Sequence, residues 1–226
     1  KKNIFLALDF NSLDRAMEVT DLTKDYLAGI KIGLELYSVI GLEGIKKFET
    51  FNLPIFLDTK IFDISNQVSK TINVIKKNKS IKYFTIHALG SSEMLIAAQN
   101  SAKGSDLEFL AVSILTSWNE KDLKKIGITN SIKDQVRILI KLAHEAKLSG
   151  IIASAQDIGL AREISKDIKI FCPGIREDGK TQDQKRTLSY KEFNDVADDK
   201  CFAVIGRPIY EGNPLENIKK IINTAE

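Results

Sequence analysis

Cysteine and histidine are scarce in this chain, which has two of each among 226 residues. Cys172 and Cys201 lie inside apolar runs typical of buried strands, and no metal-site spacing of Cys and His accompanies them. A reducing, cytoplasmic compartment is therefore expected. No stretch approaches the roughly 18 apolar residues of a membrane span. The chain also enters the apolar segment Ile4–Leu8 without the hydrophobic region of a cleavable leader, so no membrane association is expected.

A strong charge of one sign is also lacking. Lys and Arg number 33 against 30 Asp and Glu, which leaves a formal net charge of +3. Because the basic residues are scattered rather than gathered into a run, nucleic-acid binding is not expected. The sequence has no Pro/Gly/Ser-rich linker and no low-complexity tract. With 43% hydrophobic residues, it is expected to form a single domain over residues 1–226.

Short apolar runs rich in Ile, Val and Phe recur along the whole chain. Eight of them are candidate strands: Ile4–Leu8, Gly29–Ile32, Pro54–Leu57, Tyr83–Ile86, Phe109–Leu115, Gly150–Ala153, Ile168–Cys172 and Phe202–Ile205. Segments with helical spacing alternate with them. Continuous apolar strands are typical of a parallel sheet that is covered on its faces, and eight units in this length favour an α/β fold of the closed (β/α)₈ TIM-barrel type. An open doubly wound sheet is the alternative.

Local signals place the helix starts just after the strands. Ser12, Ser65 and Ser91 are candidate N-caps, since a serine hydroxyl can accept a bond from a free amide of the first helical turn. Pro214 suits the first turn of the last helix, where its missing N–H costs nothing.

Charged residues close the first three predicted strands. Asp9 follows the first, Lys31 lies in the second, and Asp58, Lys60 and Asp63 follow the third. Any one of them, taken alone, is more often a cap or a solvated side chain. In a barrel they would converge on one mouth, where burying charge costs several kcal/mol unless each charge is paired. An alternating Lys-Asp network would keep Lys60 charged and fixed in position, as a general acid requires.

A second polar cluster follows the seventh and eighth predicted strands, where barrel enzymes commonly hold a phosphate. Arg176 and Arg207 supply charge, and Gly174 and Gly206 let backbone approach an anion. The alternative is a pair of surface arginines near turns. The polar segment Glu177–Arg186 is long enough to be a functional lid. Gln184 within it is a candidate phosphate donor.

Four neutral polar positions are less specific. Thr116 and Ser117 are candidates to bind a planar amide-bearing ring, but a helix or turn cap is equally favoured. His87 is interpreted as a hydrogen-bonded structural histidine at the mouth. His144 lies on a predicted helix and is interpreted as a surface or interface residue.

The motifs at the strand ends resemble one known family, the orotidine 5′-phosphate decarboxylases of the bacterial type. They are ALDF at Ala7–Phe10, KIGLELY at Lys31–Tyr37, FLDTKIFDI at Phe56–Ile64, TIHALG at Thr85–Gly90, ILTS at Ile114–Ser117, PGIR at Pro173–Arg176, DQKR at Asp183–Arg186 and IGRPI at Ile205–Ile209. The match runs in order from the first strand to the last. The spacing Asp58-x-Lys60-x-x-Asp63 is its most specific part.

The resemblance implies a cofactor-free decarboxylation of orotidine 5′-monophosphate to uridine 5′-monophosphate, with no metal. Lys60 would protonate C6, Asp58 would lie against the substrate carboxylate, and Lys31 would complete the network and contact the ribose. Asp63 would reach the neighbouring subunit's site, which implies a homodimer with shared sites. The substrate-binding positions that the resemblance implies are Asp9, Ile64, Gln67, Thr116, Pro173, Arg176, Gln184, Gly206 and Arg207.

One short segment departs from the family pattern at two positions, and two alternative functions compete with the family's. Many relatives read Pro-Asn-Thr after Ile64, where this chain has Ser65-Asn66-Gln67, so altered ribose contacts are expected. A magnesium-dependent sugar-phosphate decarboxylase or synthase of the same superfamily would carry a metal-binding glutamate in place of Lys31, and a lysine repels magnesium. A barrel that only binds a nucleotide or a protein must explain why all the charged positions occur together.

Overall fold

The computed structural model describes residues 2–176 and 187–224, and they form one closed barrel of eight parallel strands. Each strand pairs with the next in the chain, and the first pairs with the last. The strands are β1 Ile4–Leu8, β2 Gly29–Gly33, β3 Ile55–Ile61, β4 Ile81–His87, β5 Glu108–Val112, β6 Gly150–Ile152, β7 Lys169–Cys172 and β8 Cys201–Ile205. The TIM-barrel prediction is confirmed, and the open sheet is wrong.

Helices follow the strands around the barrel. Within the described ranges they are α1 Leu13–Thr23, α2 Leu34–Ile45, α3 Ser65–Ile75, α4 Ser92–Ser101, α5 Glu120–Lys125, α6 Ile132–Glu145, α7 Ile158–Ile164, α8 Tyr190–Val196, α9 Arg207–Tyr210 and α10 Pro214–Asn223. Their buried faces pack on the outside of the sheet and form the larger hydrophobic core with it. In the part of the chain that the structure describes, no helix combines the length and the apolar composition needed to cross a membrane.

Two of the three predicted serine caps are confirmed. Ser12 accepts a hydrogen bond from the amide of Arg15, and Ser91 accepts one from the amide of Met94. The prediction for Ser65 is wrong. Ile64 holds the capping position with an extended backbone, and Ser65 is the first helical residue.

The last helix begins as predicted, with Pro214 in its first turn. Asn213 caps it by accepting a hydrogen bond from the amide of Glu216.

Two strand ends differ from the predicted ones in a way that matters for the site. The third strand continues past its predicted end at Leu57 to Ile61, because pairing with β4 resumes there after a shift in register. Asp58 and Lys60 therefore lie within β3 rather than after it. The fifth strand ends at Val112, so Thr116 and Ser117 lie in the connection that follows.

The barrel interior is filled largely by aromatic rings. The ring of Phe5 contacts those of Phe56, Tyr83, Phe171 and Phe202, with centroids 5.0 to 6.4 Å apart and edge-on geometry. Such pairs add about 0.5–1.5 kcal/mol each beyond the area they bury. A Cβ atom on Gly29 would overlap the Phe5 ring, so glycine is required where β2 passes this cluster.

We expect Phe5→Ala to lower the free energy of unfolding by about 3–5 kcal/mol, because it leaves a cavity at the centre of the ring cluster. Urea unfolding followed by circular dichroism measures the change. Leu22→Ala is the control: Leu22 is 42% exposed on α1, and its truncation should change stability by at most about 0.5 kcal/mol. A loss below about 1 kcal/mol for Phe5→Ala would contradict a tightly packed interior.

Candidate active site

A cavity of about 320 Å³ opens at the carboxyl ends of the strands. This is the face on which barrel enzymes place their chemistry. Nine of the site residues that the family resemblance implies line it: Asp9, Lys31, Asp58, Lys60, Thr116, Pro173, Arg176, Gly206 and Arg207. The structure therefore brings the charged cluster and the arginine cluster together around one space.

Four of these side chains form a chain of alternating charge. The Lys60 ammonium is 2.9 and 2.8 Å from the two carboxylate oxygens of Asp58. The Lys31 ammonium lies 3.8 Å from Asp58 Oδ2 and 2.9 Å from Asp9 Oδ1. Each lysine thus has a carboxylate partner, as the predicted network requires.

The centre of this chain is buried and its ends are open. The side chains of Lys31 and Asp58 are 12% and 10% exposed, whereas Lys60 and Asp9 keep 35% and 48% of their surface. Lys60 can therefore meet a molecule in the cavity while Asp58 holds it. Removing either Lys31 or Asp58 would leave a buried charge without its partner, which costs about 3–5 kcal/mol of stability.

At the carboxyl end of β2, Gly33 lies directly against two members of the network. A Cβ atom on Gly33 would lie 2.9 Å from the Lys31 ammonium and 3.3 Å from Asp9 Oδ1. Glycine at this position lets Lys31 fold back across the strand end toward Asp9.

The sequence interpretation missed one residue of the network. Thr85 of β4 is fully buried, accepts a hydrogen bond from the Lys60 amide at 2.7 Å and donates one to Asp58 Oδ1 at 3.1 Å. The available signal was a polar residue within the apolar run that forms β4.

The apolar part of the cavity lining was also missed, because such residues resemble any other strand residue in sequence. Ala7, Phe56 and Val204 belong both to the lining and to the aromatic-rich interior cluster. Ile152, the last residue of β6, and Ala153 after it also line the cavity. The cavity thus has an apolar floor and charged walls.

The arginine side of the cavity is built by the connections after β7 and β8. Gly174 has a φ of +83°, a conformation that favours glycine, and the chain turns there toward Arg176. The Arg176 amide donates to the Leu188 carbonyl at 2.8 Å, which joins the two ends of the connection. Gln184 and the predicted lid Glu177–Arg186 lie outside the described residues.

Three predicted site residues lie away from this cavity. Asp63, Ile64 and Gln67 are exposed at the start of α3. The carboxylate of Asp63 accepts a hydrogen bond from the Ile64 amide at 2.7 Å. Phe62 and Ile64 on either side of Asp63 are 62% and 67% exposed, an unusual exposure for large apolar residues.

The remaining polar positions are settled by their contacts. Thr116 and Ser117 line the cavity and lie in a turn, and the helix that follows them is capped by Asn119, so neither of them caps that helix. His87 is a structural residue as predicted, since its Nδ1 accepts a hydrogen bond from the Leu89 amide at 3.2 Å. His144 is exposed on α6, which agrees with a surface position.

A family model matches the chain over residues 2–221, and its description is "Orotidine 5′-phosphate decarboxylase / HUMPS family". Two curated relatives of this chain carry the name of the same decarboxylase. The orotidine 5′-phosphate decarboxylase of Ehrlichia chaffeensis is 38% identical over 97% of this chain and 95% of the relative. That of Wolbachia pipientis subsp. Culex pipiens is 37% identical over 98% of this chain and 97% of the relative.

Solved structures match the whole barrel. The crystal structure of orotidine 5′-phosphate decarboxylase from Lactobacillus acidophilus superposes with a TM-score of 0.82 at 26% identity, and all of both chains is covered. An uncharacterised conserved protein from Geobacillus kaustophilus superposes with a TM-score of 0.83 at 22% identity, over 99% of this chain and all of the other, which supports the fold alone.

We expect His87 to titrate below its ordinary pKa of 6.5, because burial disfavours the charged ring and the nearby Lys60 ammonium lowers the pKa further. The unfolded chain then binds this proton more readily, so His87 lowers stability as pH falls through about 6.5. A proton NMR titration measures the midpoint, with His144→Gln used to assign the signals. Lys60→Ala should raise the midpoint part of the way back, and a midpoint at or above 6.5 would contradict the burial of the ring.

Proposed function

The chain belongs to the orotidine 5′-phosphate decarboxylase / HUMPS family, and on that premise we propose that it decarboxylates orotidine 5′-monophosphate to uridine 5′-monophosphate in pyrimidine biosynthesis. It is an enzyme of the carboxy-lyase class. The observation that carries the proposal is the Asp9–Lys31–Asp58–Lys60 chain of charges, which lies in a cavity that Arg176 and Arg207 also line.

The chemistry explains why such a chain of charges is needed. When carbon dioxide leaves, the electron pair of the broken C–C bond stays on C6 of the pyrimidine, where no neighbouring group accepts it. Lys60 stabilises that developing negative charge and then donates a proton to C6, and water restores the proton on Lys60. Asp58 holds the Lys60 ammonium in place before the reaction, so no free energy of reorganisation is spent during it. The fixed ammonium therefore stabilises the developing negative charge more than a mobile ion in water would.

The other residues of the network bind the nucleotide around this centre. Asp58 lies against the substrate carboxylate, and Lys31 and Asp9 bind the ribose hydroxyls. Thr116 contacts the pyrimidine ring, and Pro173 lies beside it. The Asp58 carboxylate is 10% exposed, so little water screens it from the substrate.

The phosphate is held by Arg176 and Arg207, with the backbone of Gly206 and the side chain of Gln184. Guanidinium groups form paired hydrogen bonds to phosphate oxygens. Binding energy from the phosphate, far from the reacting carbon, is then available to hold the ring against Lys60.

A magnesium-dependent sugar-phosphate reaction is not favoured, because a lysine ammonium lies among the carboxylates that would bind the metal. The Lys31 ammonium stands between carboxylate oxygens of Asp9 and Asp58, at 2.9 and 3.8 Å. A cation in that position neutralises the carboxylates that a divalent ion would require. The proposed reaction therefore uses side chains and no cofactor.

The active enzyme is a homodimer in which Asp63 enters the partner's cavity. Asp63, Ile64 and Gln67 lie outside the cavity of their own chain, and the exposed rings and methyl groups of Phe62 and Ile64 flank Asp63. Packing of these apolar groups against a second subunit would bring Asp63 to the ribose in that subunit's cavity. Gln67 joins the same contact with a longer side chain than the threonine of many relatives.

The enzyme works in the cytoplasm. Cys172 and Cys201 are buried and free on the neighbouring strands β7 and β8. Free buried thiols are typical of proteins kept in a reducing compartment.

We expect the purified protein to convert orotidine 5′-monophosphate in the presence of EDTA, and Lys60→Ala to lose at least about 10⁴-fold in kcat, because the proton donor and its charge are both removed. Loss of pyrimidine absorbance measures the rate. The matched control is Lys46→Ala, an exposed lysine paired with Glu43, which should retain the full rate. Tight nucleotide binding without turnover, or turnover that requires magnesium, would contradict the proposal.

Sharing of sites between subunits predicts complementation. Lys60→Ala and Asp63→Ala should each be nearly inactive alone. Mixing them under conditions that exchange subunits should restore about a quarter of the wild-type activity, because half of the dimers are then hybrids with one intact site. Activity of the mixture that stays equal to the sum of the two variants would show that Asp63 does not serve the partner's site.

A further inference from the structure

Thr85 faces an irregular stretch of the sheet directly beneath the charged network. In the pairing of β3 with β4, Leu57 pairs with Phe84 and Ile61 pairs with Ile86. Three residues of β3, from Asp58 to Lys60, therefore stand opposite the single residue Thr85. A bulge of this kind redirects side chains near active sites.

The side chain of Thr85 joins both members of the central ion pair. Its hydroxyl accepts a hydrogen bond from the Lys60 amide at 2.7 Å and donates one to Asp58 Oδ1 at 3.1 Å. The same Asp58 oxygen lies 2.9 Å from the Lys60 ammonium. Thr85 thus bonds the backbone of the lysine and the carboxylate that orients the ammonium, and it is itself fully buried.

The backbone of Lys60 needs such support. Its φ is +50°, in the left-handed region that residues with a side chain adopt rarely and keep only when their surroundings hold them there. A shift of this residue toward ordinary strand geometry would rotate its side chain away from Asp58. The hydrogen bond from the Lys60 amide to Thr85 opposes that shift.

We infer that Thr85 is a positioning residue for the reaction: its hydroxyl holds the Lys60 backbone in the left-handed conformation and aligns Asp58, so that the ammonium faces the substrate carbon. This inference rests on the proposed function for its kinetic consequence, but the geometric consequence does not depend on it. Thr85 is fully buried and does not line the cavity, so any effect on the nucleotide passes through the ion pair.

Two substitutions of Thr85 distinguish the effect of its hydroxyl group from the effect of its side-chain volume. Thr85→Val keeps a branched side chain but removes the donor and the acceptor, and Thr85→Ser keeps both. Thr20→Val is the matched control, because Thr20 is equally buried and its hydroxyl donates to the Ala16 carbonyl at 2.7 Å within α1. It loses a buried hydroxyl bond within α1, outside the cavity lining.

For Thr85→Val we expect kcat to fall about 10- to 100-fold, since a displacement near 1 Å of a reacting group has an effect of that size. KM, and the affinity for uridine 5′-monophosphate measured by calorimetry, should change less than about threefold, because the phosphate contacts remain. Thr85→Ser should retain kcat within about threefold because it keeps the hydroxyl. Thr20→Val should retain the wild-type kcat although its melting temperature falls.

A crystal structure of Thr85→Val is the second measurement and is independent of turnover. It should show Lys60 outside the left-handed region, or its ammonium moved away from Asp58 by about 1 Å or more. Lys60 and Asp58 unmoved in that structure would overturn the inference. So would a wild-type kcat in Thr85→Val, or equal losses in the valine and serine variants. If the wild-type protein does not decarboxylate the nucleotide, the proposed function fails, and the crystal structure still decides the role of Thr85.

Discussion

The ion pair between Asp58 and Lys60 is the interaction on which the rest of the site depends. Its two contacts of 2.9 and 2.8 Å fix the ammonium of Lys60, whose side chain remains 35% exposed. Lys31 is a second cation near Asp58, at 3.8 Å, and Asp9 balances it at 2.9 Å, so each charge of the network has a partner of opposite sign. The site holds its charges in place before substrate arrives, as a reaction without an electron-accepting group requires.

The barrel supplies a rigid base for that pair. Phe56 lines the cavity and packs against Phe5 and Phe171, with ring centroids 6.4 and 5.5 Å away. Asp58 follows Phe56 by two residues on β3, and therefore rises from a strand whose inner face is already packed. The same ring cluster that stabilises the barrel thus limits the movement of the network above it.

The fold and most of the charged site could be predicted from the sequence. In a parallel barrel, the polar residues that end eight apolar strands converge on one face. Asp9, Lys31, Asp58 and Lys60 meet in one cavity for that reason. The role of Thr85 as a partner of the network could not be predicted in the same way, since it depends on the register shift between β3 and β4. A single threonine in a strand does not reveal such a shift. Ser65 was misassigned as a cap because serine suits both the capping position and the first helical turn.

The proposed function requires that Asp58 hold Lys60 where C6 of the pyrimidine binds. A crystal structure of the protein with uridine 5′-monophosphate would show whether it does. C6 should lie within about 3.5 Å of the Lys60 ammonium, a separation suited to proton transfer, with the phosphate between Arg176 and Arg207. A nucleotide whose ring lies against the arginines, or whose C6 faces away from Lys60, would contradict it.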